Sequence, residues 1–222
     1  VAFVSNKGGA GTSTIAVNVA CGLAGAHPED VLLVDASIQG GSCGFMLDLT
    51  PTTTLVDAVR ERDRLDPTLL RQLTALHEPS GLRVLTAPGD ALEGAEIDDE
   101  SLSRILHLAQ RTFRYVVVDT FPSLDNTATA VLDLASTVCV VVQGLAPAVA
   151  SAARLLPLLD GLGVATARQR IIVNYNYPSF LGNLRPGDIG DRLEREIDFV
   201  VPYRSEEHTS ELQSPYVISY AV

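Results

Sequence analysis

The chain has 222 residues, 46% of them hydrophobic, and a formal net charge of −11. That length fits one α/β domain with a full core, and no apolar run approaches the ~20 residues of a membrane span. So acidic a balance disfavours a broad nucleic-acid footprint, which needs clustered Lys and Arg; Arg60, Arg62 and Arg64 lie close together, but Glu61 and Asp63 interleave them as on a solvated face. The expectation is a soluble, cytoplasmic protein.

In chain order, the opening residues VAFV read as a strand and residues 5–14, SNKGGAGTST, as a glycine-rich turn. The apolar positions Ile15, Ala16, Val19, Ala20 and Leu23 predict a helix to about residue 26, where His27-Pro28 breaks it. Residues 31–34 and 115–118 are continuous apolar runs ending in Asp35 and Asp119, the form of buried parallel strands that deliver a carboxylate at their C-terminal ends. The glycine- and serine-rich stretch 36–44 reads as a surface loop. Helices are expected over 54–62 and 66–77, the second with Pro67 at its first position. A strand is expected over 82–87, and a helix over 98–112 with Asp98 or Asp99 at its N-cap. Residues 126–134 (helix), 137–143 (strand), 147–162 (helix), 170–174 (strand), 188–197 (helix) and 199–201 (strand) continue the alternation. Strands alternating with helices predict an α/β fold, a doubly wound, mostly parallel sheet flanked by helices.

A strand, a glycine-rich turn and a helix start bring backbone N–H groups and a positive helix terminus onto one anion. A nucleotide phosphate site is therefore expected over Lys7, Gly8, Gly9, Ala10, Gly11, Thr12, Ser13 and Thr14. The glycines allow close phosphate approach, and Ser13 offers a hydroxyl where such a loop places its Mg²⁺ ligand. Lys7 is the chain's only lysine, the other fifteen basic residues being arginine; a compact ammonium sits among phosphate oxygens where a planar guanidinium fits poorly. Asp35 and Asp119 can gather with Ser13 around one Mg²⁺ as hard oxygen ligands. Singly, each would serve equally well as a helix N-cap; their pairing beside the loop points to metal. Cys21, Cys43 and Cys139 lack metal-binding spacing, and Cys21 and Cys139 read as small core residues, in keeping with a reducing cytosol.

The loop resembles the deviant P-loop of the MinD/ParA superfamily, K-G-G-x-G-K-[ST]-[ST], with Lys7 at the signature position. The resemblance implies ATP and Mg²⁺ as ligands and a sandwich homodimer in which Lys7 reaches the nucleotide of the facing subunit. It also implies an adenine contact from Asn174, which as a strand-end Asn is equally a common turn residue, and a base contact from the backbone at Pro202. Three departures stand out. Thr12 occupies the place of the general P-loop lysine, Asp35-Ala36-Ser37 replaces a D-x-D whose second carboxylate positions the attacking water, and VVVDTFPS departs from D-x-P-x-G at Phe121.

Residues 31–59, 64–88 and 114–143 further resemble the CpaE/TadZ branch, associated with Flp-type (tight adherence) pili; RLDPTLL followed by PSGLRVLTAP is the more specific part. Loss of the loop lysine is common in that branch. Three functions follow as alternatives: a nucleotide-binding spatial organiser of pilus assembly with weak turnover at most, an active partition or cell-division ATPase, and a pseudo-ATPase scaffold that binds no nucleotide. Pilus assembly and secretion proteins are the implied partners, with recruitment to the inner membrane or a cell pole left open. Residues 1–203 are expected to form the ATPase-like domain, truncated at both natural ends. Residues 204–222 open with RSEEHTSELQS, eleven residues matching a translated sequencing adapter, and are expected to be a non-native tail; without its one Arg and three Glu the net charge is −9.

Overall fold

The computed structural model describes residues 1–203 apart from 6, 39 and 179–181, so the expected tail lies outside the described residues. Among the described residues, eight strands form one sheet: β1 (Ala2–Val4), β2 (Val31–Ala36), β3 (Ala75–His77), β4 (Leu82–Leu85), β5 (Tyr115–Thr120), β6 (Val138–Gln143), β7 (Gln169–Asn174) and β8 (Phe199–Val201). Their order is β3-β4-β2-β5-β1-β6-β7-β8, and every pairing is parallel except β3 with β4. The central strands are buried on both faces, which is why VLLVDA and VCVVVQ read as unbroken apolar runs.

Helix α1 (Thr12–Ala26) and the single turn α2 (Cys43–Met46) pack with Phe3, Leu33, Val117 and Val141 on one face. The other face is covered by α3 (Leu55–Arg60), α4 (Pro67–Leu73), α6 (Asp99–Thr112), α7 (Asn126–Leu134), α8 (Ala146–Gly161) and α9 (Pro186–Leu193); the short α5 (Ala91–Gly94) precedes α6. Local chemistry fixes several of these starts. Asp66, Asp98 and Asp125 each accept a backbone N–H three residues on, at 2.8, 2.6 and 2.9 Å, and Pro67 takes the first turn of α4. In α6, Leu102, Ile105, Leu106 and Ala109 fall on one buried stripe.

The structure corrects three expectations. Residues 75–77 are not helical: α4 stops at Leu73, Thr74 turns extended with its hydroxyl on the Arg71 carbonyl, and the chain pairs antiparallel with β4 at the sheet edge. Residues 36–44 are not simply a surface loop, because Ala36 extends β2, Ser37 and Cys43 are buried, and α2 begins at Cys43. The last helix runs from Pro186 and ends at Leu193, where Glu194 turns left-handed at φ 52°. Among the described residues no helix is long and apolar enough to cross a membrane.

Register is what positions the site. Asp35 on β2 pairs with Asp119 on β5, and Gln143 on β6 pairs with Asn174 on β7, which pairs in turn with Val201 on β8. The glycine loop leaves β1 between these two groups, so the C-terminal edge of the sheet presents a row of polar side chains, with carboxylates on one flank of the loop and amides on the other.

Candidate phosphate and cation site

The loop is held from outside by side-chain donors. Ser5 Oγ donates to the Lys7 carbonyl at 3.2 Å. Gln143 Nε2 and Asn176 Nδ2 both donate to the Gly9 carbonyl, at 2.7 and 2.9 Å, and Asn174 Nδ2 donates to the Ala10 carbonyl at 2.8 Å. Carbonyls drawn outward leave the peptide N–H groups to face the concave side, the geometry of an anion nest. Gly9 and Gly11 adopt φ of 77° and 89°, and a Cβ on Gly11 would stand 2.3 Å from Asn174 Nδ2, so this close approach requires glycine. Gly11 is also the N-cap of α1, which has no side-chain cap and no acidic residue in its first turn. The orphan N–H groups of that turn are thus available to a ligand.

The expected loop residues divide by orientation. Lys7, Gly8, Gly9 and Thr14 are exposed, Ala10 is buried, and Gly11 and Ser13 are partly buried. Thr12 is buried, and its hydroxyl donates to Ser5 Oγ at 3.0 Å. Asn174 is buried with its amide nitrogen committed to the loop. Pro202 is exposed one strand away, just past Val201, whose carbonyl accepts the Tyr175 N–H at 2.9 Å.

The carboxylate flank is less satisfied. Asp35 is buried; Oδ1 accepts the Ser37 N–H at 3.1 Å and Oδ2 the Cys43 N–H at 3.0 Å, folding the segment after β2 back over it. Asp119 is fully buried, with Oδ2 3.6 Å from the Cys43 thiol that donates to it and Oδ1 without a hydrogen-bond partner among the described residues. Burial raises the pKa of Asp35 against the pull of its backbone donors. Burial also pushes Asp119 up, to about 7; the neighbouring Asp35 adds to this, while the nearby Ser13 hydroxyl and the Cys43 thiol favour the ionised form. Two buried carboxylates side by side, one oxygen lacking a partner and a hydroxyl close at hand are a donor set that fits a hard divalent cation.

Gln143 and Asn176, which share the Gly9 carbonyl, are not among the residues the sequence singles out, and Cys43, which has no metal-binding spacing in the sequence, sits on both carboxylates. Gln143 ends an apolar strand as Asp35, Asp119 and Asn174 do, and that signal was available. Beside the carboxylates, a cavity of about 530 Å³ opens between Ile38, Ala95, Phe121 and the start of α7.

A parallel doubly wound sheet with a glycine loop between β1 and α1 and carboxylates at neighbouring strand ends defines the P-loop nucleoside triphosphatase class. A family model described as an AAA domain matches residues 1–169, and the chain belongs to this family, in its MinD/ParA-type branch of P-loop ATPases. It is 26% identical to the septum site-determining protein MinD of Thermotoga maritima over 207 residues, 91% of this chain and 74% of that one. The crystal structure of a ParA family ATPase from Chlorobium tepidum superposes with a TM-score of 0.83 at 28% identity, covering 92% of this chain and 85% of that one. MinD from Pyrococcus horikoshii, solved with Mg-ADP, shares the fold with a TM-score of 0.76 at 18% identity, over 90% and 79% of the two chains.

Proposed function

We propose that the chain is a nucleotide-operated spatial organiser: it binds Mg·ATP, dimerises through Lys7 while ATP is bound, hydrolyses ATP weakly or not at all, and serves assembly of a Flp-type, tight adherence pilus. The observation that carries the nucleotide reading is the loop itself, with its carbonyls tied back by Ser5, Gln143, Asn174 and Asn176 and an uncapped helix N-terminus behind it. Asp35, Asp119 and Ser13 would hold Mg²⁺, which supplies positive charge to the phosphate oxygens when bound. Asn174 and Pro202 stand toward the base end.

Weak turnover is supported by two positions. Ser37 carries an alcohol where a carboxylate would orient water, and it is buried with its N–H on Asp35. Thr12 adds no charge, and its hydroxyl is taken up by Ser5. Lys7 is exposed and makes no ion pair among the described residues, which leaves its ammonium able to reach a nucleotide on a facing subunit. The pilus context rests on the likeness of residues 64–88 to CpaE/TadZ proteins.

Analytical ultracentrifugation with and without Mg·ATP, beside calorimetry and phosphate release, tests this. The expected outcome is an ATP-dependent dimer in the native sequence, no dimer in Lys7→Ala, and phosphate release near background. A monomer at saturating nucleotide overturns the dimer, absence of binding overturns the nucleotide reading, and brisk turnover favours a partition or cell-division ATPase. Two-hybrid pairing against Flp-type pilus assembly proteins tests the context, and no interaction with any of them would remove it.

A further inference from the structure

We propose that Asp35, Cys43 and Asp119 form a binding site for a thiophilic divalent cation, Zn²⁺ foremost, whose occupancy excludes Mg·nucleotide. One ligand atom from each residue lies within 4.8 Å of the other two, and all three residues are buried. The Cys43 Sγ to Asp119 Oδ2 separation is 3.6 Å. With Zn–S about 2.3 Å and Zn–O about 2.1 Å, neighbouring ligands of a tetrahedral zinc stand roughly 3.4–3.7 Å apart, so one edge of the tetrahedron already has its length. Asp119 contributes an independent sign of a missing ligand: it is fully buried and its Oδ1 has no partner among the described residues.

The thiol decides which cation. Mg²⁺ takes oxygen ligands and retains its waters, so a buried sulfur beside its carboxylates contributes nothing to holding it. Zn²⁺ accepts thiolate and carboxylate together, with a water in the fourth position. The backbone brings Cys43 here on purpose-built geometry: a Cβ on Gly41 would lie 2.7 Å from Asp35 Oδ2 and 2.2 Å from the Ala87 side chain, so only glycine lets the segment fold this close, and the Cys43 N–H then locks onto Asp35. On binding, the S–H bond breaks, a sulfur–metal bond forms and the proton passes to bulk buffer, with no change of oxidation state. Exclusion of nucleotide rests on the proposed role of Asp35 and Asp119; cation binding does not.

The test uses the full chain with Cys21→Ser and Cys139→Ser, which leaves the three ligands intact and Cys43 as the sole thiol. Co²⁺ is titrated without nucleotide. The expected result is a near-ultraviolet thiolate-to-cobalt charge-transfer band with tetrahedral visible absorption, saturating at one equivalent, bleached by Zn²⁺ and absent after Cys43→Ser. No charge-transfer band in the Cys43-only protein overturns the site. Protein preloaded with one equivalent of Zn²⁺ should lose Mg·ATP binding in calorimetry, and unchanged binding overturns the exclusion. A protein that gives the cobalt band on titration yet binds no Mg·ATP when metal-free supports the cation site and defeats the nucleotide reading instead.

Discussion

The two flanks of the phosphate end are built in opposite ways. On the loop flank the carbonyls of Lys7, Gly9, Ala10 and Gly11 all have donors, so the nest is shaped before any ligand arrives. On the carboxylate flank Asp119 keeps one oxygen unpartnered among the described residues and a pKa pushed up to about 7. One flank is preorganised and the other is charged against its surroundings, which teaches where binding energy is stored: the loop offers geometry, and the carboxylates offer the relief of an electrostatic penalty. Breaking each flank should therefore have opposite effects on the empty protein.

The largest effect is expected at the loop. Gly11→Ala places a Cβ at φ 89° and 2.3 Å from Asn174 Nδ2, so the loop must shift and Asn174 must let go of Ala10. ATP binding should be lost in calorimetry, and the melting temperature should fall by roughly 5–10 °C, as about 2–3 kcal/mol implies for a domain of this size. Gly8, where a Cβ meets nothing within 4 Å, is the stability control. A Gly11→Ala protein that melts with the native one would show that the loop is not pinned.

Asp119→Asn should do the reverse to stability. The unfolded carboxyl ionises near the ordinary 3.8, whereas the folded one holds its proton to about 7. This raised pKa contributes stability that is fully present below pH 3.8 and lost as pH rises through 7, about 4 kcal/mol in all. Removing the charge removes that loss, so the variant should melt above the native protein at pH 8, match it near pH 4, and bind Mg·ATP poorly. Melting curves across that range check the sign, and a variant no more stable at pH 8 would mean that Asp119 bears no such penalty.

A smaller effect distinguishes the buttress from the fold. Asn176→Ala removes one of two donors to the Gly9 carbonyl while Gln143 keeps the other. A net hydrogen bond contributes about 1 kcal/mol, so ATP affinity should weaken by about fivefold with little change in melting. Gln143→Leu, at a buried strand end, should cost more in both readouts. Equal effects from the two would indicate that Gly9 is not their shared target.

The same contrast explains what the sequence disclosed. Strand ends were legible because a parallel strand buried on both faces is an unbroken apolar run, and the polar residue that stops it, Asp35, Asp119 or Asn174, faces the ligand edge. Helix starts were legible where Asp98 and Pro67 mark them. Cys43 was not, because its contact with both carboxylates depends on the close approach that Gly41 allows, and no periodicity encodes that. Residues 75–77 misled because ALH suits a helix or a strand, and the choice was made by the free edge of β4. Asn174 shows the limit of reading a residue by type: its position was legible, but its hold on Ala10 required the neighbouring loop.

Thr12→Lys has the smallest net effect and the most information. Charge alone argues for tighter ATP binding, since a charge-assisted contact contributes roughly 1.5–3 kcal/mol. The structure sets a cost against it. The Thr12 side chain is buried with its hydroxyl on Ser5, and a lysine stem starting there forfeits that hydrogen bond and overpacks the space, a penalty of roughly 1–3 kcal/mol. The two nearly cancel in the empty protein plus ligand, so the apparent affinity should rise only about twofold to threefold while the nucleotide-free melting temperature drops. Ser5→Gly in the same chain gives the stem room and should recover part of the stability while keeping the gain in affinity. Calorimetry and melting on the single and double variants separate the contributions. If Thr12→Lys leaves affinity unchanged even with Ser5→Gly, the missing lysine is not what limits nucleotide binding, and the carboxylate flank sets it instead.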